Sequence, residues 1–192
     1  MRIYVGGVNG VGKSTVLASV LAKHPDWKTV HMTGIFMDWL GFGQDYTRLR
    51  ALPSEVRDRE LAACIQEMMR VSADAPCFYD SHYLNMKEGK IDQIVGPWLS
   101  TFDGSLLISC PTPRLFERLQ QDTKVRERGL FPKEMDGAAS RELLETYAQK
   151  TRDVFVESAR THHLPAQEIV NTSIEEAAEQ VISFVERLRS MA

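Results

Sequence analysis

Residues 7–14 read Gly-Val-Asn-Gly-Val-Gly-Lys-Ser, which is a complete match to the pattern G-x-x-x-x-G-K-[ST]. The match lies between two segments of different periodicity. Residues 2–6, Arg-Ile-Tyr-Val-Gly, are short and β-prone, whereas residues 14–23 are helix formers whose apolar side chains recur at helical spacing. A strand, a glycine loop and a helix therefore follow one another in the order that a phosphate-binding loop requires.

The residue types in this loop each have a physical reason for their place. Gly7, Gly10 and Gly12 let the backbone come close to an anion, so that N–H groups and the positive end of the helix face phosphate oxygens. Lys13 supplies a mobile positive charge for the β- and γ-phosphates, and Ser14 supplies a hydroxyl ligand for Mg²⁺. The loop therefore predicts a site for a nucleotide triphosphate and its metal.

Length and composition indicate one domain. The chain has 192 residues, and no linker or low-complexity run divides it. It carries no apolar run of membrane-spanning length and no signal sequence, so we expect a cytoplasmic protein without a membrane partner. The net charge of −3 argues against an extended nucleic-acid surface. Cys64, Cys77 and Cys110 lack metal-ligand spacing, which predicts buried reduced thiols.

Strand and helix patterns alternate along the whole chain. The predicted strands are residues 2–6, 28–32, 75–80, 105–109 and 167–170, and the main predicted helices are 14–23, 34–40, 54–71, 113–121, 138–160 and a terminal helix capped by Ser173 and Glu176. This alternation predicts a three-layer α/β fold, in which a five-stranded parallel sheet has helices on both faces. Ligands of such sheets bind at the carboxyl ends of the strands.

A carboxylate ends the third predicted strand. Asp80 would lie beside the glycine loop, where it can hold Mg²⁺ directly or through a water molecule. The alternative is an aspartate that only forms a turn. His82 follows two residues later, and it is either a structural histidine or part of the site, since it has no partners at zinc-ligand spacing.

Arginines are concentrated between residues 114 and 128. Arg118 lies on a predicted helix, whereas Arg126 and Arg128 come just before the breakers Gly129 and Pro132. Guanidinium groups bind phosphate oxygens in pairs and neutralise the charge of a phosphoryl group in transfer. A solvated helix end is the alternative. The nearby phosphate loop favours a catalytic interpretation.

Together these motifs resemble those of adenylate kinases of the archaeal type, a branch of the nucleoside monophosphate kinases with the P-loop NTPase fold. The similar segments are residues 7–15 (ATP loop), 33–37 (start of the AMP-binding helix), 80–82 (Asp-Ser-His for D-T-H), 122–128 (lid with its R-x-R pair) and 169–171 (adenine-side loop). Two departures stand out. Asn9 replaces the usual proline, and Glu127-Arg128-Gly129 replaces a lid sequence that normally reads R-D.

The resemblance implies a single P-loop kinase domain over residues 1–192, with an acceptor-binding segment at about 33–71 and a short lid at about 122–136. It implies that ATP is bound by Gly7, Asn9, Gly10, Val11, Gly12, Lys13, Ser14, Thr15 and Asn171. It likewise implies that Mg²⁺ is held by Ser14 and Asp80, and the acceptor by Gly34, Met37, His82 and one or both of Arg48 and Arg50. Lys13, Arg118, Arg126 and Arg128 would stabilise in-line transfer, with ATP and AMP giving two ADP.

A phosphate loop also occurs in three other classes of protein. A kinase of another small acceptor shares every phosphate-binding element and differs in the pocket around residues 33–50 and 80–86. A regulatory GTPase is disfavoured, because the sequence lacks an N-K-x-D motif. A nucleotide-dependent assembly factor, which would switch conformation on a protein or RNA partner, stays open because relatives of this branch are linked to ribosome assembly. The sequence does not indicate whether the protein is a monomer or an oligomer.

Overall fold

The computed structural model describes residues 1–70, 75–121, 130–131 and 137–191, apart from the side chain of Arg50. The strands in this part of the chain are β1 (Arg2–Gly6), β2 (Lys28–His31), β3 (Cys77–Asp80), β4 (Leu84–Lys87), β5 (Lys90–Gln93), β6 (Gly104–Ser109) and β7 (Ala166–Val170). The helices are α1 (Lys13–Lys23), α2 (Met32–Trp39), α3 (Tyr46–Ala51), α4 (Ser54–Arg70), α5 (Thr112–Gln121), α6 (Gly137–Thr161) and α7 (Ile174–Met191), with a 3₁₀ helix at Pro97–Thr101.

The predicted five-stranded parallel sheet is confirmed. Its strand order is β2-β3-β1-β6-β7, so the first strand lies in the middle. Val5 pairs with Asp80 in register, and His31 pairs with the same aspartate from the other side. The carboxyl ends of three neighbouring strands therefore meet at one edge, directly below the glycine loop.

Side chains of β1 alternate between two hydrophobic cores, as the pleat of a strand requires. Ile3 and Val5 pack on one face, whereas Tyr4 packs on the other. The first core is filled mainly from α1 and α7, with Val16, Leu17, Val20, Val181 and Val185. The second is filled from α4, α6 and the 3₁₀ helix, with Leu61, Cys64, Ile65, Leu99 and Phe155. Helices on both faces give the three-layer α/β architecture that the sequence predicted.

An antiparallel hairpin, formed by β4 and β5, follows β3 and was not predicted. Its turn is Glu88–Gly89, and both residues have positive φ, 49° and 78°. The hairpin is attached to α6, because the Tyr147 hydroxyl donates a 2.9 Å hydrogen bond to the carbonyl oxygen of Leu84. The short helix α3 was also not predicted.

The three cysteines are free and buried, as the sequence predicted. Burial raises the pKa of the Cys64 thiol to about 11, so this thiol is inert at neutral pH. In the described part of the chain, no helix combines the length and the apolar composition needed to cross a membrane.

Candidate functional site

The glycine loop leads into α1 through two positions that only glycine fills easily. Gly12 caps the helix with φ of +90°, and a Cβ atom added there would lie 2.6 Å from Nδ2 of Asn171. A Cβ atom on Gly7 would collide with the carbonyl oxygen of Ile108. The loop therefore lies against β6 and the end of β7 so closely that no side chain fits between them.

Lys13 and Ser14, the first residues of α1, both contact Asp80 at the end of β3. Lys13 Nζ lies 3.8 Å from Asp80 Oδ1 and 3.4 Å from the carbonyl oxygen of Gly7. The hydroxyl of Ser14 donates a 3.3 Å hydrogen bond to Asp80 Oδ2. The lysine and the aspartate are only 8% and 9% exposed. A buried carboxylate thus holds the cation and the hydroxyl side by side under the loop.

His31 joins this cluster, although no sequence motif indicated it. Its Nδ1 lies 3.4 Å from Asp80 Oδ2, and its side chain is 70% exposed. His31 is the last residue of β2, and it reaches the site because β2 pairs with β3 in a register that places it opposite Asp80. The only indication in the sequence was that His31 lies at the end of a predicted strand. That indication places His31 at the site only if the strand order is known.

His82 contacts the beginning of the loop. Its Nδ1 lies 2.8 Å from the carbonyl oxygen of Gly7, and its own carbonyl oxygen accepts a 2.6 Å hydrogen bond from the Tyr4 hydroxyl. Burial strongly raises the pKa of Tyr4, which keeps this phenol protonated as a donor. The structure therefore places His82 against the phosphate loop, whereas its predicted contact with the acceptor stays a prediction.

Arg118 and Asn171 contact the other end of the loop. Both donate to the carbonyl oxygen of Val11, Arg118 through NH1 at 3.2 Å and Asn171 through Nδ2 at 2.7 Å. Arg118 NH1 also lies 3.7 Å from Sγ of Cys110. The loop is thus held from α5 and from the end of β7 at one carbonyl. The predicted catalytic role of Arg118 stays a prediction.

The predicted acceptor residues lie on α2 and α3. Gly34 is exposed with open space beside its Cα, whereas the Met37 side chain is 1% exposed. The guanidinium of Arg48 lies 4.2 Å from the centre of the Phe42 ring. Arg50 belongs to α3, and its side chain lies outside the described part of the structure. A contact of these four residues with an acceptor stays a prediction.

Most of the predicted lid, including Arg126 and Arg128, lies outside the described residues. Two residues of the predicted lid segment, Leu130 and Phe131, are described. Leu130 is 1% exposed within the first core, and its carbonyl oxygen accepts a 3.2 Å hydrogen bond from the N–H of Gly89. Leu130 is therefore anchored to the β4–β5 turn.

A cavity of about 630 Å³ opens between α6 and the carboxyl end of β6. Val8 and Val11 of the loop border it, together with Ser109, Cys110, Thr112, Gln149 and Arg152. Neither Lys13 nor Asp80 lines this cavity. The charged cluster below the loop is thus separate from this cavity. The cluster, and not the cavity, contains the lysine, hydroxyl and carboxylate that suit a phosphate group and its metal.

The cluster suits Mg²⁺ better than a transition metal. Ser14 and Asp80 offer a hydroxyl and a carboxylate oxygen 3.3 Å apart. Mg²⁺ is bound through one or two such oxygens and keeps several of its waters. Among the described residues there is no cluster of three or more histidines, cysteines, aspartates or glutamates that would suit a metal such as zinc.

Comparison with protein-family models gave no match, and neither did comparison with curated proteins. Solved structures do match over nearly the full length. A shikimate kinase from Bacteroides thetaiotaomicron superposes with a TM-score of 0.67 at 10% identity, covering 97% of this chain and 98% of that one. A gluconokinase from Sinorhizobium meliloti 1021 gives 0.57 at 15% identity, with 97% and 92% covered. A shikimate kinase from Aquifex aeolicus gives 0.58 at 16%, with 97% and 96% covered.

These likenesses define the fold as the three-layer α/β fold of P-loop kinases. At such low identities they establish the fold alone. The predicted P-loop fold is therefore confirmed, whereas the narrower resemblance to archaeal-type adenylate kinases is not.

Proposed function

We propose that this protein transfers the γ-phosphoryl group of ATP to a small acceptor. The observation that carries the proposal is the meeting of Lys13, Ser14 and Asp80 below the glycine loop, with contacts of 3.3 to 3.8 Å. Cation, hydroxyl and carboxylate in this arrangement are what a nucleotide triphosphate and its Mg²⁺ require. The likeness in fold to kinases of similar length supports transfer rather than signalling by a switch.

Each residue of the site would have a distinct role. The loop N–H groups and the N-terminus of α1 would bind the β- and γ-phosphates, and Lys13 would move from Asp80 to the phosphate oxygens. Ser14 and Asp80 would hold Mg²⁺, which, when bound, neutralises charge on the phosphates. Arg118 already lies at the loop, and Arg126 and Arg128 would add the charge that the transition state needs.

The acceptor that the sequence favours is AMP. In this proposal the chain forms one kinase domain and is located in the cytoplasm. The segment at about 33–71 binds the acceptor, and the segment at about 122–136 is a lid. It is supported by the resemblance of residues 33–37 to the start of the AMP-binding helix and of residues 80–82 to the D-T-H motif. It is also supported by the position of α2, which begins directly after His31 at the charged cluster.

A second candidate is a kinase whose acceptor is a small hydroxyl compound instead of a nucleotide. The fold likeness to shikimate kinase and gluconokinase favours it specifically. Both candidates use the same phosphate loop, so they differ only in the pocket around α2, α3 and His82.

One experiment separates these candidates from plain hydrolysis. ADP formation from Mg-ATP is measured with AMP, CMP, UMP, GMP, shikimate, gluconate or water as the acceptor. We expect AMP to give the fastest turnover. Shikimate or gluconate as the best acceptor would establish the second candidate. Turnover with water alone would favour an ATP-driven assembly factor.

A further inference from the structure

The imidazole of His31 brings a nitrogen atom to the oxygen ligands below the glycine loop. Its Nδ1 lies 3.4 Å from Asp80 Oδ2, and the same oxygen accepts a 3.3 Å hydrogen bond from the Ser14 hydroxyl. An imidazole nitrogen, a carboxylate and a hydroxyl therefore meet around one oxygen atom. The proposed Mg²⁺ site uses only the carboxylate and the hydroxyl.

The backbone holds these three side chains in place. His31 and Asp80 are paired in the register of β2 and β3, and Ser14 lies in the first turn of α1. His31 is the N-cap residue of α2, but its side chain makes no capping hydrogen bond to the described residues of that helix. The imidazole is also exposed, so it can turn toward an ion beside Asp80.

A nitrogen atom in a ligand set changes which ions the site can take. Mg²⁺ is a hard ion that binds oxygen atoms and keeps several waters. Mn²⁺ takes the same carboxylate and phosphate oxygens, and as a first-row transition ion it also binds imidazole. The two oxygens of Asp80 and Ser14 therefore suit Mg²⁺, whereas the addition of His31 extends the choice of ion to Mn²⁺.

Lys13 sets the order in which the nucleotide and the ion bind. Its Nζ lies 3.8 Å from Asp80 Oδ1, and as long as it stays there its charge opposes a cation at the carboxylate. Phosphate oxygens at the glycine loop would draw Lys13 away from Asp80 and add oxygen ligands of their own. The ion is therefore expected to bind together with the nucleotide.

We infer that the metal site takes Mn²⁺ as well as Mg²⁺, and that His31 is a nitrogen ligand in the manganese form. This inference rests on the proposed function, since the nucleotide supplies the remaining ligands. Ser14, Asp80 and His31 then provide three protein ligands to Mn²⁺. In the magnesium form the oxygens alone hold the ion, which leaves the imidazole available to the acceptor.

The test is pulsed EPR of Mn²⁺ bound to the full chain with AMP-PNP, an ATP analogue that is not hydrolysed. The protein is labelled with ¹⁵N, so that nitrogen atoms of the nucleotide are distinguished from those of the chain. The wild type should show the strong ¹⁵N coupling of an imidazole bound directly to Mn²⁺, and His31→Ala should lose it. His162→Ala, beyond the end of α6, is the control and should keep it.

Metal titrations in the presence of AMP-PNP give a second measurement. We expect His31→Ala to bind Mn²⁺ about 10-fold more weakly than the wild type, with its affinity for Mg²⁺ unchanged. Equal weakening of both ions in the variant would overturn the inference, because a residue that only positions Asp80 affects both.

The wild-type spectrum alone decides the question if His31→Ala fails to fold. A manganese complex without the ¹⁵N coupling would refute the role of His31 as a ligand and leave the proposed function intact, because the nucleotide and its metal would still be bound. Failure of AMP-PNP to bind with either ion would refute both.

Discussion

At Asp80, three side chains from two elements, α1 and β2, converge on one buried carboxylate. Oδ1 faces Lys13, while Oδ2 accepts from Ser14 and lies near His31. A carboxylate that is 9% exposed is costly to bury unless cations and donors surround it, and these groups do so. The same groups are those that Mg-ATP would engage, so binding would exchange one set of partners for another.

Replacement of this carboxylate tests its role in metal binding. We expect Asp80→Asn to raise the Mg²⁺ concentration needed for half-maximal activity by about 10-fold, because the amide is a weaker ligand. Asp92→Asn, on the exposed face of β5, is the matched control and should not shift the titration. If the two variants give the same Mg²⁺ titration, Asp80 does not bind the metal and only positions Lys13 and Ser14.

His31 gives a prediction about the acceptor. Its exposed imidazole lies beside Asp80, at the N-cap of α2, the helix with which the proposed acceptor segment begins. We expect His31→Ala to raise the KM for AMP by about 10-fold, as loss of one charge-assisted hydrogen bond would do, with little change in the KM for ATP. His162→Ala, beyond the end of α6, is the control. Equal changes in both KM values would place His31 at the loop instead of the acceptor.

At this scale the sequence predicted the loop residues and Asp80 but not His31. The loop pattern is contiguous, and Asp80 ends an apolar strand, so both are visible locally. The contact between His31 and Asp80 depends on β2 being the neighbour of β3, which no local pattern encodes. The hydrogen bonds of Asn171 and Arg118 to Val11 are equally non-local, at separations of 160 and 107 residues.

Among the elements, β7 is joined to α6 and β6 by a side-chain network. Arg152 donates from Nε and NH2 to the two oxygens of Glu168, at 2.8 and 2.7 Å, and the Ser109 hydroxyl donates to Glu168 at 2.7 Å. The hydrogen bonds from Arg152 hold the pKa of Glu168 below its usual 4.5, and the bond from Ser109 adds to the effect. The network fixes the edge strand whose end carries Asn171.

This network predicts a pH dependence of stability. A carboxyl whose pKa is lowered by folding stabilises the native state above its unfolded pKa of 4.5, and that contribution is lost as the pH falls through the folded value. We expect Glu168→Gln to lower the free energy of unfolding at pH 7 by about 1 kcal/mol, since the pair is partly solvated. Below pH 4.5, the free energy of unfolding should decrease less in the Glu168→Gln variant than in the wild type. Chemical denaturation between pH 3 and 7 measures both effects.

The control for this prediction is Glu145→Gln, an exposed position on α6. It should leave both the stability at pH 7 and its slope at acid pH unchanged. A Glu168→Gln profile parallel to that of the wild type would contradict the account of the network.

Most elements were predicted within a few residues, and the exceptions have a physical explanation. The strands β4 and β5 have four residues each and carry Asn85, Lys87, Lys90 and Asp92, so they lack a strong apolar pattern. They are stabilised by distant contacts, including the bond from Tyr147, 63 residues away. Local propensity does not report such contacts.

For the whole molecule, the strand order accounts for the position of the site. A central β1 with β3 and β6 on its sides brings the glycine loop, Asp80 and the end of β6 to one edge. The alternation of strands and helices was enough to predict this architecture. The acceptor was not predictable in the same way, because acceptor specificity depends on the shape of the pocket around α2 and α3, and a sequence pattern does not specify shape.

A kinase must also exclude water, which competes with the acceptor. We therefore expect Arg126→Ala or Arg128→Ala to reduce transfer to AMP by about 100- to 1000-fold, with a much smaller effect on ATP binding, because such arginines act mainly in the transition state. ATP hydrolysis should fall less than transfer. If both variants transfer phosphate to AMP at the wild-type rate, these arginines have no catalytic role and belong to a solvated helix end.

The most direct measurement is transfer of labelled phosphate from [γ-³²P]ATP to AMP by the wild type and by Lys13→Met, with water as the competing acceptor. The account predicts labelled ADP as the main product of the wild type. It predicts that the variant forms about 100-fold less labelled ADP or even less, which corresponds to a loss of transition-state stabilisation on the order of 3 kcal/mol. The circular dichroism spectrum of the variant should match that of the wild type. Near wild-type transfer by Lys13→Met, or label found only in inorganic phosphate with the wild type, would contradict it.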